Sequence, residues 1–236
     1  MFTDLPSIRG LVANLTTDTL REIAGAPINR KVAESIIKNL PEVTDKFEIN
    51  TQLRLAHFLG QLGHESDHFR TYEEYASGAA YEGRRDLGNT KRGDGRRYKG
   101  RGPIQITGRF NYRKYGEKLG VDLEDNPQLA TDPRIGLMIA GQYWYDHGLN
   151  ALADRDDGKQ ITRKINGGYN GLKERLELTE RAKHILDHAV SVPEPEPVPE
   201  PVVEEVVVVE EPQDEVAQAP LPIFVQQDLD LTNENG

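Results

Sequence analysis

Residues 51–69 place one carboxyl group among apolar side chains. Leu55, Phe58, Leu62, Glu65 and Phe69 are three or four residues apart, so all five fall on one face of a helix. Burial of an unpaired carboxylate is costly, and desolvation raises its pKa and favours the protonated form. A protonated glutamic acid can serve as a general acid. The alternative is a helix that frays before Glu65 and leaves the carboxylate in water.

The same segment matches the short H-E-x-x-H pattern of zinc proteases. His64 and His68 are four residues apart, which lets two imidazoles on one helix bind a metal with the intervening Glu as base. A third ligand is needed, and Glu82 is the nearest candidate after the adjacent Glu73 and Glu74. So short a pattern recurs by chance, and a polar stripe on the helix accounts for the histidines. We therefore predict no metal and no cofactor.

Residues 71–102 form a long polar segment with seven glycines, which predicts an ordered loop of functional importance. Between residues 84 and 101 it holds eight Lys or Arg and two Asp. The only aromatic residue in that stretch is Tyr98, which argues against nucleic acid as a partner. An anionic polymer or simple solvation are the remaining interpretations. Glu73, Glu74 and Glu82 lie near the start of this loop, and paired carboxylates across a cleft are what glycoside hydrolysis requires.

The next segment, YKGRGPIQITGRFNY (98–112), has the composition of a ligand-binding turn. Arg101 lies between two glycines, which allow close approach of backbone to a ligand. In an extended segment, Gln105 and Thr107 would point to one side and Ile104 and Ile106 into the core. Two uncharged polar groups on one side suit sugar hydroxyls or a water molecule. A surface turn without function is the alternative.

The elements that must position these residues are helices. Helices are predicted over TDTLREIA with Thr17 as its cap, over NRKVAESIIKNL with Pro41 as its stop, and over 51–69 with Thr51 as its cap. Three more are predicted over 132–148, over GKQITRKI, and over LKERLELTERAKHILDHA. No strand alternation and no internal repeat is evident, so the body is predicted to be mainly α.

Charge divides the chain at about residue 190. Residues 191–236 hold 12 acidic residues, no Lys or Arg and 8 of the 14 prolines, whereas residues 1–190 have a net charge of +2. We predict a catalytic domain over 1–190 and an acidic, extended or disordered tail over 191–236. The tail could tether the protein to a partner by adding a strand to a sheet edge, dock on the basic loop of the body, or simply keep the protein soluble.

The chain has no cysteine, no apolar run of membrane-spanning length and no secretory signal at its N-terminus. These features fit a chain made in a reducing cytoplasm, without insertion into a membrane. Any role outside the membrane would then need a separate route out.

Four segments together resemble family 19 glycoside hydrolases, the chitinase and phage-endolysin branch of the lysozyme-like superfamily. They are AHFLGQLGHES (56–66), EYASGAAYEGRRDLGN (74–89), GDGRRYKGRGPIQITGRFNY (93–112) and INGGYNG (165–171), in the family's order. The resemblance implies a two-lobed lysozyme-like fold with a catalytic cleft. It is closer to bacterial and phage lysins than to plant chitinases, which have disulfides. Asp67 and His68 stand where relatives often have two glycines.

The resemblance also implies roles. Glu65 matches the general acid, Glu74 the base that activates water, and Thr107 the residue that helps to hold that water, while Glu73 competes with Glu74 as the base. Positions that match substrate-binding or supporting residues are His64, Arg101, Gln105, Asn111, Tyr112 and Asn166. The implied activity is cleavage of β-1,4 bonds in peptidoglycan, as a muramidase-type endolysin with an inverting mechanism. Chitin is the other family substrate, and a lytic transglycosylase, a structural virion protein and a zinc peptidase remain alternatives.

Overall fold

The computed structural model describes residues 8–73 and 75–189, which are mainly helical, as predicted. Short 3-10 turns lie at Ala79–Tyr81, Arg85–Leu87 and Pro127–Thr131. In place of strands, the described residues contain two isolated bridges, Glu73–Arg101 and Arg101–Ile106. The helices of this part of the chain are α1 (Ile8–Ala13), α2 (Thr17–Ala24), α3 (Arg30–Lys46), α4 (Gln52–Glu65), α5 (Asp94–Arg97), α6 (Arg109–Leu119), α7 (Pro133–Asp146), α8 (Leu149–Ala153), α9 (Gly158–Asn166) and α10 (Leu172–Ala189).

Side-chain caps define most of the helix starts that the sequence predicts. Thr51 accepts a hydrogen bond from the backbone N–H of Arg54 and caps α4. Asp132 caps α7, with Pro133 in the first turn. The cap of α2 is Thr16, one residue before the predicted Thr17, and its hydroxyl accepts from the N–H of Thr19.

The prediction that Pro41 stops the third helix is wrong. Helix α3 continues to Lys46 with Pro41 inside it. Proline within a helix removes one hydrogen bond and costs about 3 kcal/mol. Leu40 and Val43, on either side of the proline, are fully buried in the core, and Phe47 follows at the helix end. The burial of these apolar groups offsets the local cost, and Pro41 itself is exposed.

Helix α4 ends earlier than the predicted residue 69. Its last helical residue is Glu65, and Asp67, His68 and Phe69 then adopt left-handed backbone conformations with φ of 51°, 59° and 58°. Such conformations cost side-chain-bearing residues about 1–2 kcal/mol each. Burial and hydrogen bonds hold the turn: Phe69 is fully buried, and its N–H donates to the Ser66 hydroxyl at 3.0 Å. Phe69, the last apolar residue of the predicted helix face, is therefore placed in the core by the turn and not by the helix.

The apolar side chains form two clusters, which correspond to the predicted lobes. The larger cluster unites buried residues of α1 to α4 with those of α7 to α10. The smaller one surrounds Tyr98, Tyr112 and Tyr115, which come from the loop segment and α6. Helix α7 joins the two, because Leu137 packs in the larger cluster and Ile139 in the smaller.

Helices α4 and α10 cross at very short distance in the larger lobe. A Cβ atom placed on Gly60 would lie 2.3 Å from the Thr179 hydroxyl and 2.9 Å from its Cα, so only glycine permits this contact. Thr179 is buried, and its hydroxyl donates to the backbone oxygen of Arg175 at 2.8 Å. The crossing therefore fixes the first turn of α10 beside the last turn of α4.

No helix within residues 8–73 and 75–189 combines the length and apolarity that crossing a bilayer demands. The predicted boundary at residue 190 and the predicted tail lie outside the described residues. Both therefore stay predictions.

Candidate active site

Glu65 lies at the C-terminal end of α4, where its side chain is 16% exposed. The guanidinium of Arg175, on the first turn of α10, donates to Oε1 of Glu65 and, at 2.7 Å, to the side-chain oxygen of Gln61. Arg175 is almost fully buried, so the pair lies at the edge of the core. The expectation of an unpaired carboxyl on the apolar stripe is wrong, because the stripe faces a buried cation.

Arg175 is not among the residues predicted from the sequence, although its position on the apolar face of α10 could have indicated it. Arg175 is in register with Leu178, Ala182 and Leu186, the buried residues of α10, so a cation stands on an apolar stripe. A buried cation requires a partner of opposite charge. Two unlike charges, each on the apolar face of its own helix, would together have predicted that α4 and α10 pack with Glu65 against Arg175.

Tyr143 connects this pair to another predicted residue. Burial, together with the negative charge of nearby Glu65, raises the pKa of Tyr143 to about 12. Its hydroxyl donates to the backbone oxygen of Lys164 at 2.8 Å, in the last turn of α9. Asn166 ends that helix and is exposed, followed by Gly167 in a left-handed turn. Tyr143 thus holds the segment that carries Asn166 on the Glu65 side of the molecule.

The two histidines of the H-E-x-x-H pattern face a carboxylate. His64 Nδ1 is 2.5 Å from Oε2 of Glu174, and His68 Nε2 is 3.2 Å from Oε1 of the same residue. Because α4 ends at Glu65, the histidines do not share the continuous helix that the zinc pattern assumes. Glu82, the proposed third ligand, instead accepts backbone hydrogen bonds from Gly93 and Gly95 at 2.6 and 2.9 Å.

Within the described part of the chain, no group of three His, Cys, Asp or Glu side chains is arranged to hold a metal ion. The histidine spacing therefore has another use in this fold. It brings both imidazoles to one carboxylate of α10.

The second carboxylate of the predicted mechanism belongs to a loop segment. Glu73 pairs its backbone with Arg101, and its carboxylate is 3.2 Å from Lys99 Nζ and 3.4 Å from Arg101 Nε. Glu74 lies outside the described residues, so its role as the base stays a prediction. Glu73 already has two cationic neighbours, which suits a structural ion pair.

Residues 101–106 form a closed turn, so the strand-like alternation considered for Gln105 and Thr107 does not apply. Arg101 and Ile106 exchange backbone hydrogen bonds of 3.3 and 3.0 Å. Gln105 between them has φ of 54°, and its side-chain amide donates to the Gly102 oxygen at 2.8 Å. The Thr107 hydroxyl donates to the oxygen of Gln105 at 3.0 Å. The two polar side chains thus stabilise the turn, and their predicted roles towards water or sugar stay predictions.

Arg101 and Tyr112 are buried and support the turn from below. The Arg101 guanidinium donates to the Tyr112 hydroxyl at 3.0 Å and to the Arg97 oxygen at 2.8 Å, and that hydroxyl donates to the Lys99 oxygen at 2.7 Å. Asn111 donates to the Thr107 oxygen at 2.8 Å. In this arrangement Tyr112 is fully buried. The substrate-binding roles of Asn111 and Tyr112 stay predictions.

Comparison with known proteins identifies the family. The family model described as chitinase class I matches residues 38–151. A glycosyl hydrolase family 19 domain-containing protein of Haemophilus influenzae is 32% identical over 168 residues, which cover 58% of this chain and 82% of that protein. An endochitinase of Arabidopsis thaliana is 34% identical over 135 residues, which cover 56% of this chain and 46% of the endochitinase.

Solved structures share the fold. Chitinase C from Streptomyces griseus HUT6037 matches with a TM-score of 0.61 and 20% identity, over 75% of this chain and 93% of that one. A bacterial family 19 chitinase matches with a TM-score of 0.55 and 20% identity, over 72% and 94%. The described part of the chain therefore has the fold of these chitinases. The chain belongs to glycosyl hydrolase family 19, as the motifs predicted.

Proposed function

We propose that this glycoside hydrolase cuts the β-1,4 bonds of peptidoglycan, as a muramidase with an inverting mechanism. Glu65 donates a proton to the glycosidic oxygen, Glu74 activates a water molecule, and Thr107 helps to hold that water. The observation that favours an anionic glycan as the substrate is a basic surface on the loop segment near Glu73.

The position of Glu65 suits a general acid. Arg175 binds Oε1, and no hydrogen bond to Oε2 occurs within the described residues, which leaves that oxygen for the glycosidic oxygen. The partly exposed end of α4 gives a substrate access, and the helix holds the carboxyl at a fixed point. An inverting enzyme needs about 6.5–9.5 Å between its two carboxyl groups, with room for water.

The basic surface is formed by exposed cations of the loop segment. Lys91, Arg92 and Arg96 are exposed, and none of them has an ion pair with a carboxylate in the part of the chain that the structure describes. Unpaired cations on one surface create a positive potential that attracts anionic polymers. Peptidoglycan carries free carboxylates on its stem peptides, whereas chitin is uncharged.

This surface contains two concave depressions. Arg96, Arg97 and Arg101 line one depression of about 560 Å³. Lys91, Arg92 and Arg97 line a second of about 520 Å³. The depressions share Arg97 and Asp125, and Arg101, which lines the first one, lies with its Nε 3.4 Å from the carboxylate of Glu73. An anionic glycan strand bound here would extend towards the segment that carries the second carboxylate.

The direct test is digestion of purified peptidoglycan and of chitin, with mass spectrometry of the products. Reducing muramic-acid ends are expected. Anhydro ends would indicate a lytic transglycosylase, chitooligomers alone a chitinase, and no product a structural role. The matched control is Glu65→Gln, which keeps the shape of the side chain and is expected to lower the rate by ~10²–10⁴.

A second test addresses the charge argument. The double variant Arg92→Glu/Arg96→Glu is expected to raise KM on peptidoglycan about tenfold at low salt and little at high salt. Cleavage of neutral chitooligomers should not change. The control, Lys31→Glu/Lys38→Glu, makes the same change in net charge with exposed residues of α3. Equal effects of the two double variants would refute a specific basic surface.

Chitin is the second candidate substrate, because the Arabidopsis relative is named an endochitinase and the similar solved structures are chitinases. Digestion of the two polymers decides between them.

Two further proposals concern the setting of the enzyme. We propose cytoplasmic synthesis in a bacterium, with access to the wall through a holin or as part of a virion. Residues 191–236, which lie outside the described residues, are proposed to tether the enzyme to a virion or assembly protein. Truncation after Ala189 should then preserve hydrolysis of wall substrate and abolish co-purification with that partner.

A further inference from the structure

The first turn of α10 places two adjacent charged residues against the end of α4. Arg175 binds Glu65 and Gln61. Glu174 makes separate contacts with its two oxygens, one to His64 Nδ1 at 2.5 Å and one to His68 Nε2 at 3.2 Å. Both imidazoles are about four-fifths buried. One carboxylate therefore joins the last turn of α4 to the left-handed turn that follows it.

That left-handed turn is the covalent link between the two halves of the candidate site. Only residues 66–72 separate Glu65 from Glu73. The backbone of the turn has its own anchors: the N–H of His68 donates to the Gly63 oxygen at 2.7 Å, and the oxygen of Phe69 accepts from the N–H of Asn29 at 3.2 Å. Strained turns persist where surrounding contacts hold them, and they are common at functional sites.

The side chain of His68 adds a connection that these backbone bonds do not provide. It ties the turn to α10, the helix that also holds Glu65 through Arg175. A shift of the turn relative to α10 would change the distance between the acid and the 73–74 segment. Catalysis is sensitive to such shifts, because a displacement of about 1 Å can lower a rate about 10²-fold.

We propose that Glu174 and His68 are positioning residues, which set the place of the general acid Glu65 relative to the segment that begins at Glu73, on the far side of the left-handed turn. This inference rests on the proposed function, in which Glu65 is the acid. His64, on the other side of the Glu174 carboxylate, secures the same contact from α4. The alternative is that the cluster contributes only to stability.

The test compares Glu174→Gln, His68→Gln and the double variant with wild type, by kcat and KM on peptidoglycan and by thermal unfolding. Each single variant is expected to lower kcat roughly 10–100-fold, with KM within about twofold and the melting temperature nearly unchanged. The double variant should lose no more than a single one, since both changes break one contact. Glu177→Gln, an exposed carboxylate one turn further along α10, is the matched control and should behave as wild type.

The outcomes separate the two proposals. Wild-type kcat in both single variants, or a loss that follows the melting temperature and disappears in a cooler assay, would overturn the positioning role. Glu65→Gln is measured in parallel. If it retains full activity, the acid assignment fails and the positioning proposal fails with it. If Glu65→Gln is inactive while Glu174→Gln is fully active, only the positioning proposal fails.

Discussion

The two sides of the candidate site are held in different ways. On the acid side, Glu65 and Arg175 come from two helices that cross closely, and Arg175 is 1% exposed. On the other side, Glu73 belongs to a loop, its side chain is 44% exposed, and one backbone bridge and two cations hold it. In the proposed mechanism the acid must stay fixed beside the sugar, whereas the base must admit a water molecule. Packed helices can keep the acid fixed, and a loop can leave room for the water molecule.

The largest expected effect distinguishes the two loop carboxylates. Glu74→Gln should lower kcat by ~10²–10⁴, because an inverting enzyme cannot activate water without its base. Glu73→Gln should cost only a few-fold, since its role is to pair with Lys99 and Arg101. Single-turnover rates on peptidoglycan measure both. If Glu73→Gln is the inactive variant, the assignment of the base is off by one residue.

Removal of the buried cation should damage the acid side most in stability. Arg175→Met keeps much of the side-chain volume but leaves Glu65 without a partner, which should cost about 3 kcal/mol in the free energy of unfolding. Denaturant unfolding monitored by circular dichroism measures the loss. Arg163→Met, an exposed arginine on α9, is the control and should cost under about 0.5 kcal/mol. Equal stability of the two variants would contradict a buried ion pair that contributes to the helix crossing.

Acid should weaken the loop side in a defined pH window. Arg113 and Arg109 lower the pKa of Glu124 to about 2, from an ordinary value of 4.5. A carboxyl with a lowered folded-state pKa stabilises the fold above the unfolded pKa, and this contribution is lost as pH falls through about 4.5 towards 2. Melting temperatures between pH 7 and pH 3 should fall less steeply in Glu124→Gln than in wild type. Parallel curves would show that this ion pair does not contribute.

The last prediction is that removal of metal ions has no effect on activity. Dialysis against a strong chelator should leave activity unchanged, because His64 and His68 contact Glu174 and the proposed mechanism uses only carboxyl groups. The measurement is the rate on peptidoglycan before and after dialysis, with elemental analysis for zinc. A loss that zinc restores would revive the peptidase alternative.

Helix-borne features could be predicted from the sequence because they follow periodic burial. The last helix, Leu172–Ala189, has the predicted bounds, and Leu55, Phe58 and Leu62 are buried on the predicted face. The loop features could not be predicted in the same way. The left-handed conformation of Gln105 depends on the bonds between Arg101 and Ile106, which no local pattern reveals.

Two helical predictions failed for a related reason. Pro41 remains within α3 because Leu40 and Val43, on either side of it, are buried in the core. Helix α4 ends at Glu65 because Ser66 and Asn29 form hydrogen bonds with Phe69 and stabilise an alternative turn. In both places tertiary contacts outweigh local preference. The family motifs located most of the candidate residues, but Arg175 and Glu174 lie beyond the matched range of 38–151.

The pairing of Glu65 with Arg175 has a consequence for the time at which activity can arise during protein synthesis. The two residues are 110 positions apart, and the arginine stands on the last helix of the body. A ribosome that has just added Glu65 must therefore complete α10 and release it from the exit tunnel before the acid acquires its partner. Nascent chains fold as their segments emerge, and long-range contacts form last. Any product that terminates early, even one that contains the whole matched family region, lacks this half of the site.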